Sequence, residues 1–166
     1  MKFYLVDHIE ALEPPDRIVA VKNLTLAEEY LADHFPAYPV LPGVLMIEAL
    51  VQSAAWLVRV ANDFEQTLIL LKEARNVRYG TFVRPGGQLV MEVKAKAIGP
   101  GESTFQAVGR SEGKKAVQAR LVLEHGLVAD EDPTGEAVDD ALRPFWRKRF
   151  KLIGGPRALE GAPGES

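Results

Sequence analysis

The chain contains no cysteine. That absence excludes a disulfide framework, a thiol nucleophile and a thiolate metal site, and it fits a reducing compartment. Charge of one sign is also lacking: 20 basic residues against 23 acidic ones leave a formal net charge of −3, so no nucleic-acid partner is expected. Signal-peptide features are missing as well. The opening MKFYLVDHIEALEPP meets acidic residues at once and has no small-residue cleavage site, so a cytoplasmic location is expected. No internal repeat is visible. A length of 166 residues reads as a single core-forming domain with room for an extension.

Long hydrophobic runs are scarce, and the one that exists organises the rest. From Val44 to Ala61 only Glu48, Gln52, Ser53 and Arg59 are not apolar. A helix apolar nearly all round either spans a membrane or forms the buried axis of a domain. Glu48 and Arg59 favour the axis. Pro36, Pro39 and Pro42 stiffen the preceding stretch, so His34 to Leu41 reads as a rigid loop, with Pro42 and Gly43 opening the helix.

Around this helix the pattern is mostly strand. Phe3 to Ala11 and Arg17 to Leu24 read as strands across a Glu13-Pro14-Pro15-Asp16 turn. Thr25 and Glu28 have capping-box spacing for a short helix through Ala32. After the central helix, which is expected to stop near Asn62-Asp63, strands are predicted over 67–72, 76–82, 88–97, 104–111 and 116–124. One apolar helix with a run of antiparallel strands is α+β, a sheet wrapped around a single helix. Residues 127–166 read as an extension: an acidic linker, a helix over 136–152 bent at Pro144, and a disordered tail of about a dozen residues.

Glu48 is the odd residue of the axis. Burial of a lone carboxylate favours its neutral form. Gln52 follows one turn later on the same face, and the proline loop can fold His34 back towards both. An imidazole, a carboxyl biased towards its acid form and free amides at the helix start near Gly43 are the parts of a site that enolises a carbonyl compound. Singly, His34 fits a hydrogen-bonded loop histidine and Glu48 a structural carboxylate; together they form a constellation. His8 and His125 have no comparable setting and read as surface or strand-end residues. Arg59 is expected to snorkel out at the helix end, with a place at the far end of an acyl pocket as the alternative. The basic residues at 147–151, interleaved with Trp146 and Phe150, read as a solvated helix face rather than a docking site for an acidic carrier protein or an anionic membrane surface.

His34-Phe35-Pro36, Pro39-Val40, Pro42-Gly43-Val44, Glu48-Ala49 and Gln52 resemble the signature of the 3-hydroxyacyl-acyl-carrier-protein dehydratases, hot-dog-fold enzymes of fatty-acid synthesis. The likeness runs over roughly residues 3 to 125, including Tyr4 to Asp7, Arg17 to Asn23, Val77-Arg78-Tyr79 and Pro85 to Leu89. It departs at Asp33, Ala37-Tyr38, Gly80 to Phe82 and Gly87, none of which is the histidine or the carboxylate. The resemblance implies a hot-dog domain over 1–126 and loss of water from a (3R)-3-hydroxyacyl thioester on acyl carrier protein. It further implies His34 as base, Glu48 as acid, the Gly43 N–H as oxyanion donor, and Val44, Gln52, Tyr79 and Phe82 at the substrate. From the residues alone, Tyr79 and Phe82 read as plain core aromatics rather than tunnel lining. The resemblance implies no metal or other cofactor. It also implies a homodimer whose sites take His34 from one chain and Glu48 from the other, in a family that also builds trimers of dimers. A glutamate at position 48 resembles the dehydratases that do not isomerise the double bond. A hot-dog thioesterase and a non-catalytic acyl-binding subunit of a synthase are the alternatives.

Overall fold

The structure, a computed structural model, describes residues 3–161. Six strands form one antiparallel sheet: β1 (His8–Glu13), β2 (Arg17–Asn23), β3 (Leu68–Tyr79), β4 (Gln88–Ile98), β5 (Glu102–Ser111) and β6 (Lys114–Gly126), in the spatial order β1-β2-β4-β5-β6-β3. The sheet wraps helix α1 (Gly43–Ala61). Period-two alternation explains which face meets the helix. Leu89, Met91 and Val93 of β4, Phe105 and Ala107 of β5, and Ala119, Leu121 and Leu123 of β6 all point inward and are buried. Opposite them, Leu50, Ala54 and Leu57 of α1 are fully buried, each leucine contributing about 1.5–3 kcal/mol. The apolar run is therefore an axis.

The strands differ from the sequence expectation in two places. β1 begins at His8 rather than Phe3, because the backbone upstream is drawn to α1: Leu5 N–H donates to Gln52 Oε1 at 2.9 Å. The two predicted strands over 67–72 and 76–82 are one strand, β3, whose pairing with β6 shifts register between Leu71 and Glu73 and between Arg75 and Arg78. Asn76 takes φ +53° at the second irregularity, a left-handed conformation that asparagine tolerates. β3 is an edge strand with Leu70 and Leu71 exposed.

The predicted capping box at Thr25 does not form. The helix there is a single 3-10 turn, Glu29–Ala32, and Glu28 is spent on Lys22, whose Nζ lies 2.6 Å from Glu28 Oε1 and 3.4 Å from Asp7 Oδ2. An ammonium that is almost wholly buried requires such partners. Helix α1 ends as expected at Asn62, whose side chain donates to Val58 O at 2.9 Å.

Beyond β6 lie a short helical turn α2 (Val128–Glu131), helix α3 (Glu136–Leu152) and helix α4 (Gly155–Glu160). The helix over 136–152 is as expected. The disordered tail is corrected in part: α4 is ordered and packs on β1, with Ile9 N–H donating to Ile153 O at 2.8 Å beside it. Its composition looks linker-like because close packing demands it. A Cβ on Gly155 would lie 2.1 Å from the Phe150 ring. The predicted tail beyond Gly161 lies outside the described residues.

Candidate active site

His34 sits where the proline loop closes on itself. Its N–H donates to Tyr30 O and its carbonyl accepts from Val40 N–H, both at 3.1 Å, while Leu41 N–H binds Val83 O at 2.9 Å. The prolines leave few donors, and Phe35 and Tyr38 exchange theirs, each N–H binding the other's carbonyl. The imidazole is half-buried, stacked on Phe35 with centroids 4.1 Å apart, and its Nδ1 is 3.0 Å from Val40 O. A carbonyl only accepts, so Nδ1 carries the proton and Nε2 presents a lone pair. This is the tautomer a general base needs.

Glu48 projects from the first half of α1 and is half-buried, not deeply buried as the sequence implies. Gln52, one turn on, donates from Nε2 to Glu48 Oε1 at 2.9 Å and to Phe3 O at 2.8 Å, while its Oε1 accepts from Leu5 N–H. Both N–H donors and one oxygen lone pair of that amide are thus engaged, with its orientation fixed by the Leu5 donor. Gln52 holds one oxygen of Glu48 and leaves the other, Oε2, for chemistry.

Gly43 and Val44 open α1, where N–H groups have no intrahelical acceptor and the helix dipole is positive. The absence of a side chain at Gly43 admits Tyr79, for a Cβ there would lie 2.9 Å from the Tyr79 ring. Tyr79 and Phe82 are not core aromatics. They are 55% and 60% exposed, and Val44 is 72% exposed, so all three face outward near the helix start. Phe82 lies edge-on to Tyr38 at 6.1 Å.

Within one chain the structure brings Glu48 to Gln52 and Gly43 to Tyr79. It does not bring His34 to Glu48: the two share no hydrogen bond, and His34 is absent from the cavity that Glu48 lines. That cavity, about 260 Å³, follows one stripe of α1 from Glu48 through Gln52 and Trp56 to Arg59. It is closed on one side by Trp146 and Arg149 of α3.

Arg59 does not snorkel out. It is 7% exposed, its guanidinium carbon sits 3.9 Å from the Trp146 ring centre and 5.3 Å from that of Trp56, and burial lowers its pKa to about 10. The basic cluster is likewise turned inward in part. Arg147 reaches Asp63 Oδ1 at 3.0 Å, Arg149 lies 3.7 Å over the Tyr4 ring, and Phe150 is buried against Trp56 and Phe64. His125, at the end of β6, is also buried, with Nε2 2.8 Å from Ser103 Oγ. The involvement of α3 in the cavity is not legible beforehand, since nothing local in residues 146–149 announces a contact with α1.

A six-stranded antiparallel sheet wrapped on one long apolar helix defines a hot-dog-fold protein. Residues 1–125 match the FabA-like domain family. The FabZ 3-hydroxyacyl-acyl-carrier-protein dehydratases of Burkholderia mallei and Burkholderia thailandensis are each 41% identical over 121 residues, covering 71% of this chain and 78% and 76% of theirs. The chain belongs to the 3-hydroxyacyl-acyl-carrier-protein dehydratase family. At the level of fold alone, it is similar to a dehydratase heterocomplex from Xenorhabdus doucetiae, with a TM-score of 0.63 and 16% identity over 76% of this chain and 86% of that one. A thioesterase from Pseudomonas aeruginosa gives 0.56 and 17% over 70% and 78%.

Proposed function

We propose that this protein removes water from (3R)-3-hydroxyacyl thioesters carried on acyl carrier protein, giving the trans-2-enoyl thioester, as a soluble cytoplasmic enzyme of fatty-acid biosynthesis. The observation that carries this reading is the Val40 carbonyl on His34 Nδ1, which leaves Nε2 as a proton acceptor. His34 Nε2 takes the C2 proton. Electron density moves into the thioester carbonyl, whose oxygen is held by the Gly43 N–H at the start of α1. The C2=C3 double bond then forms as the C3–O bond breaks, and Glu48 delivers the proton that lets the hydroxyl leave as water. Gln52 keeps Glu48 aimed, and Val44, Tyr79 and Phe82 line the mouth where the thioester enters.

The separation of His34 from the Glu48 cavity within one chain supports a shared site in a homodimer. The exposed edge of β3, with Leu70 and Leu71, offers the pairing surface. Two sheets joined there would bring His34 of one chain to Glu48 of the other.

His34→Ala and Glu48→Gln are each expected to abolish enoyl thioester formation in folded protein. Near-native rates in both would overturn the mechanism, and release of free thiol in place of enoyl product would assign a thioesterase. With glutamate at position 48, the product from a medium-chain substrate is expected to stay trans-2; a 3-cis-enoyl product would contradict that.

A further inference from the structure

The cavity beyond Glu48 has an unusual far wall. Arg59 is almost wholly buried there, and among the described residues neither it nor Arg149 has a carboxylate within ion-pair distance. Arg59 Nε and Trp146 Nε1 are both buried, and neither has a hydrogen-bond partner among the described residues. Such groups are costly unless something accepts from them. The flanking indoles hold the guanidinium by cation–π contact but accept no strong hydrogen bond. Two unpartnered donors and two positive charges therefore converge on one end of a cavity whose other end is Glu48. Along α1 the two ends are eleven residues apart, about 16 Å at the helical rise.

Resting on the reading of Glu48 as the acid of the site, the geometry points to a substrate whose acyl chain carries a carboxylate at its far end. That carboxylate is received by Arg59 and Arg149, with the thioester at Glu48. An all-alkyl chain would leave Arg59 and Trp146 unsatisfied and place methyl groups against a buried cation. A carboxylate accepts from the planar guanidinium in the bidentate manner such groups favour. Helix α3, which supplies Trp146 and Arg149, acquires a role as the specificity wall of the cavity.

The two tryptophans of the chain, Trp56 and Trp146, both line this cavity, so their fluorescence reports its occupancy. Three probes of equal length are titrated: the monomethyl ester of dodecanedioic acid, methyl dodecanoate and free dodecanoate. The half-ester is expected to bind roughly tenfold or more tightly than methyl dodecanoate. Arg59→Met should erase that preference. Arg149→Met, on a half-exposed position where folding is not at stake, should reduce it several-fold. Equal binding of half-ester and methyl dodecanoate, or a preference that survives both substitutions, overturns the inference. Dodecanoate binding as tightly as the half-ester would overturn the acyl-thioester assignment in favour of a free fatty acid. Glu48→Gln separates this inference from the proposed reaction: that variant should keep the carboxylate preference while forming no enoyl thioester.

Discussion

The guanidinium carbon of Arg59 on α1 lies 3.9 Å from the centre of the Trp146 ring on α3, and Trp146 in turn meets Trp56 edge-on at 5.6 Å. One contact thus joins the axis of the hot-dog domain to the segment that follows it. Trp146→Ala removes the edge-on aromatic pair and the cation–π face together, and it opens the side of the cavity. Trp146 is only half-buried, so the loss is expected near the low end for a large aromatic, about 2–3 kcal/mol. Urea denaturation checks it: the midpoint should fall with the slope unchanged.

Gln52 makes two sets of hydrogen bonds, one to Glu48 and one to the backbone of Phe3 and Leu5, which it pins to α1. Gln52→Leu keeps the approximate volume and removes both. The expected result is a drop in kcat of about tenfold or more with KM little changed, because in the proposed reaction the lost interaction serves the proton donor rather than ground-state binding. Stability should fall by about 1–3 kcal/mol, since Leu5 N–H is left without its acceptor. A KM rise at constant kcat would instead place Gln52 in direct contact with substrate.

Acid should loosen the junction between β6 and α3 in two stages. Burial holds the His125 imidazole below its usual 6.5, and its Nδ1 has no hydrogen-bond partner among the described residues, so the folded state resists protonation. Between the ordinary histidine value and the lower folded one, the unfolded chain binds more protons, and stability falls as pH drops through that window. Asp139 behaves differently. Burial raises its pKa, but hydrogen bonds from Thr67 Oγ1, Val128 N–H and Ala129 N–H together outweigh burial and hold it below 3.8. Its contribution is complete above that value and is lost as pH falls through the folded pKa. Urea midpoints measured down a pH series should therefore decline first below about 6.5 and again in stronger acid. His125→Gln should flatten only the first decline, and Asp139→Asn only the second.

The legible and illegible parts of this chain divide on range. The proline loop and α1 were readable because proline fixes the backbone locally and a nearly all-apolar helix has one destination in a mixed sequence. His34, Glu48 and Gln52 stand out by residue type and spacing along loop and helix. Of the three, the structure pairs Gln52 with Glu48, while His34 lies outside the cavity that Glu48 lines. Contacts made across the fold were not readable. Leu5 leaves the sheet for Gln52, and Arg59 turns inward under Trp146. In each case a residue ordinary in its own segment is decided by a partner far along the chain, 47 positions away for Leu5. Tyr79 and Phe82 illustrate the same limit from the other side, since an aromatic at a strand end reads alike whether it packs inside or waits at a surface.

The sharpest test of the shared site uses two dead proteins. If each site takes His34 from one chain and Glu48 from its partner, a His34→Ala homodimer lacks the base in both sites and a Glu48→Gln homodimer lacks the acid in both. In a mixed dimer the two lesions fall together in one site, and the other site keeps both wild-type groups. Equal amounts, unfolded together and refolded, should place half of the chains in mixed dimers and recover about a quarter of wild-type activity. Mixing without unfolding should recover activity only as fast as dimers exchange. Sites built within single chains would recover nothing under either protocol, because no chain would then carry both groups. Partial recovery would therefore place the partner's His34 beside Glu48, where the structure of a single chain leaves an open cavity.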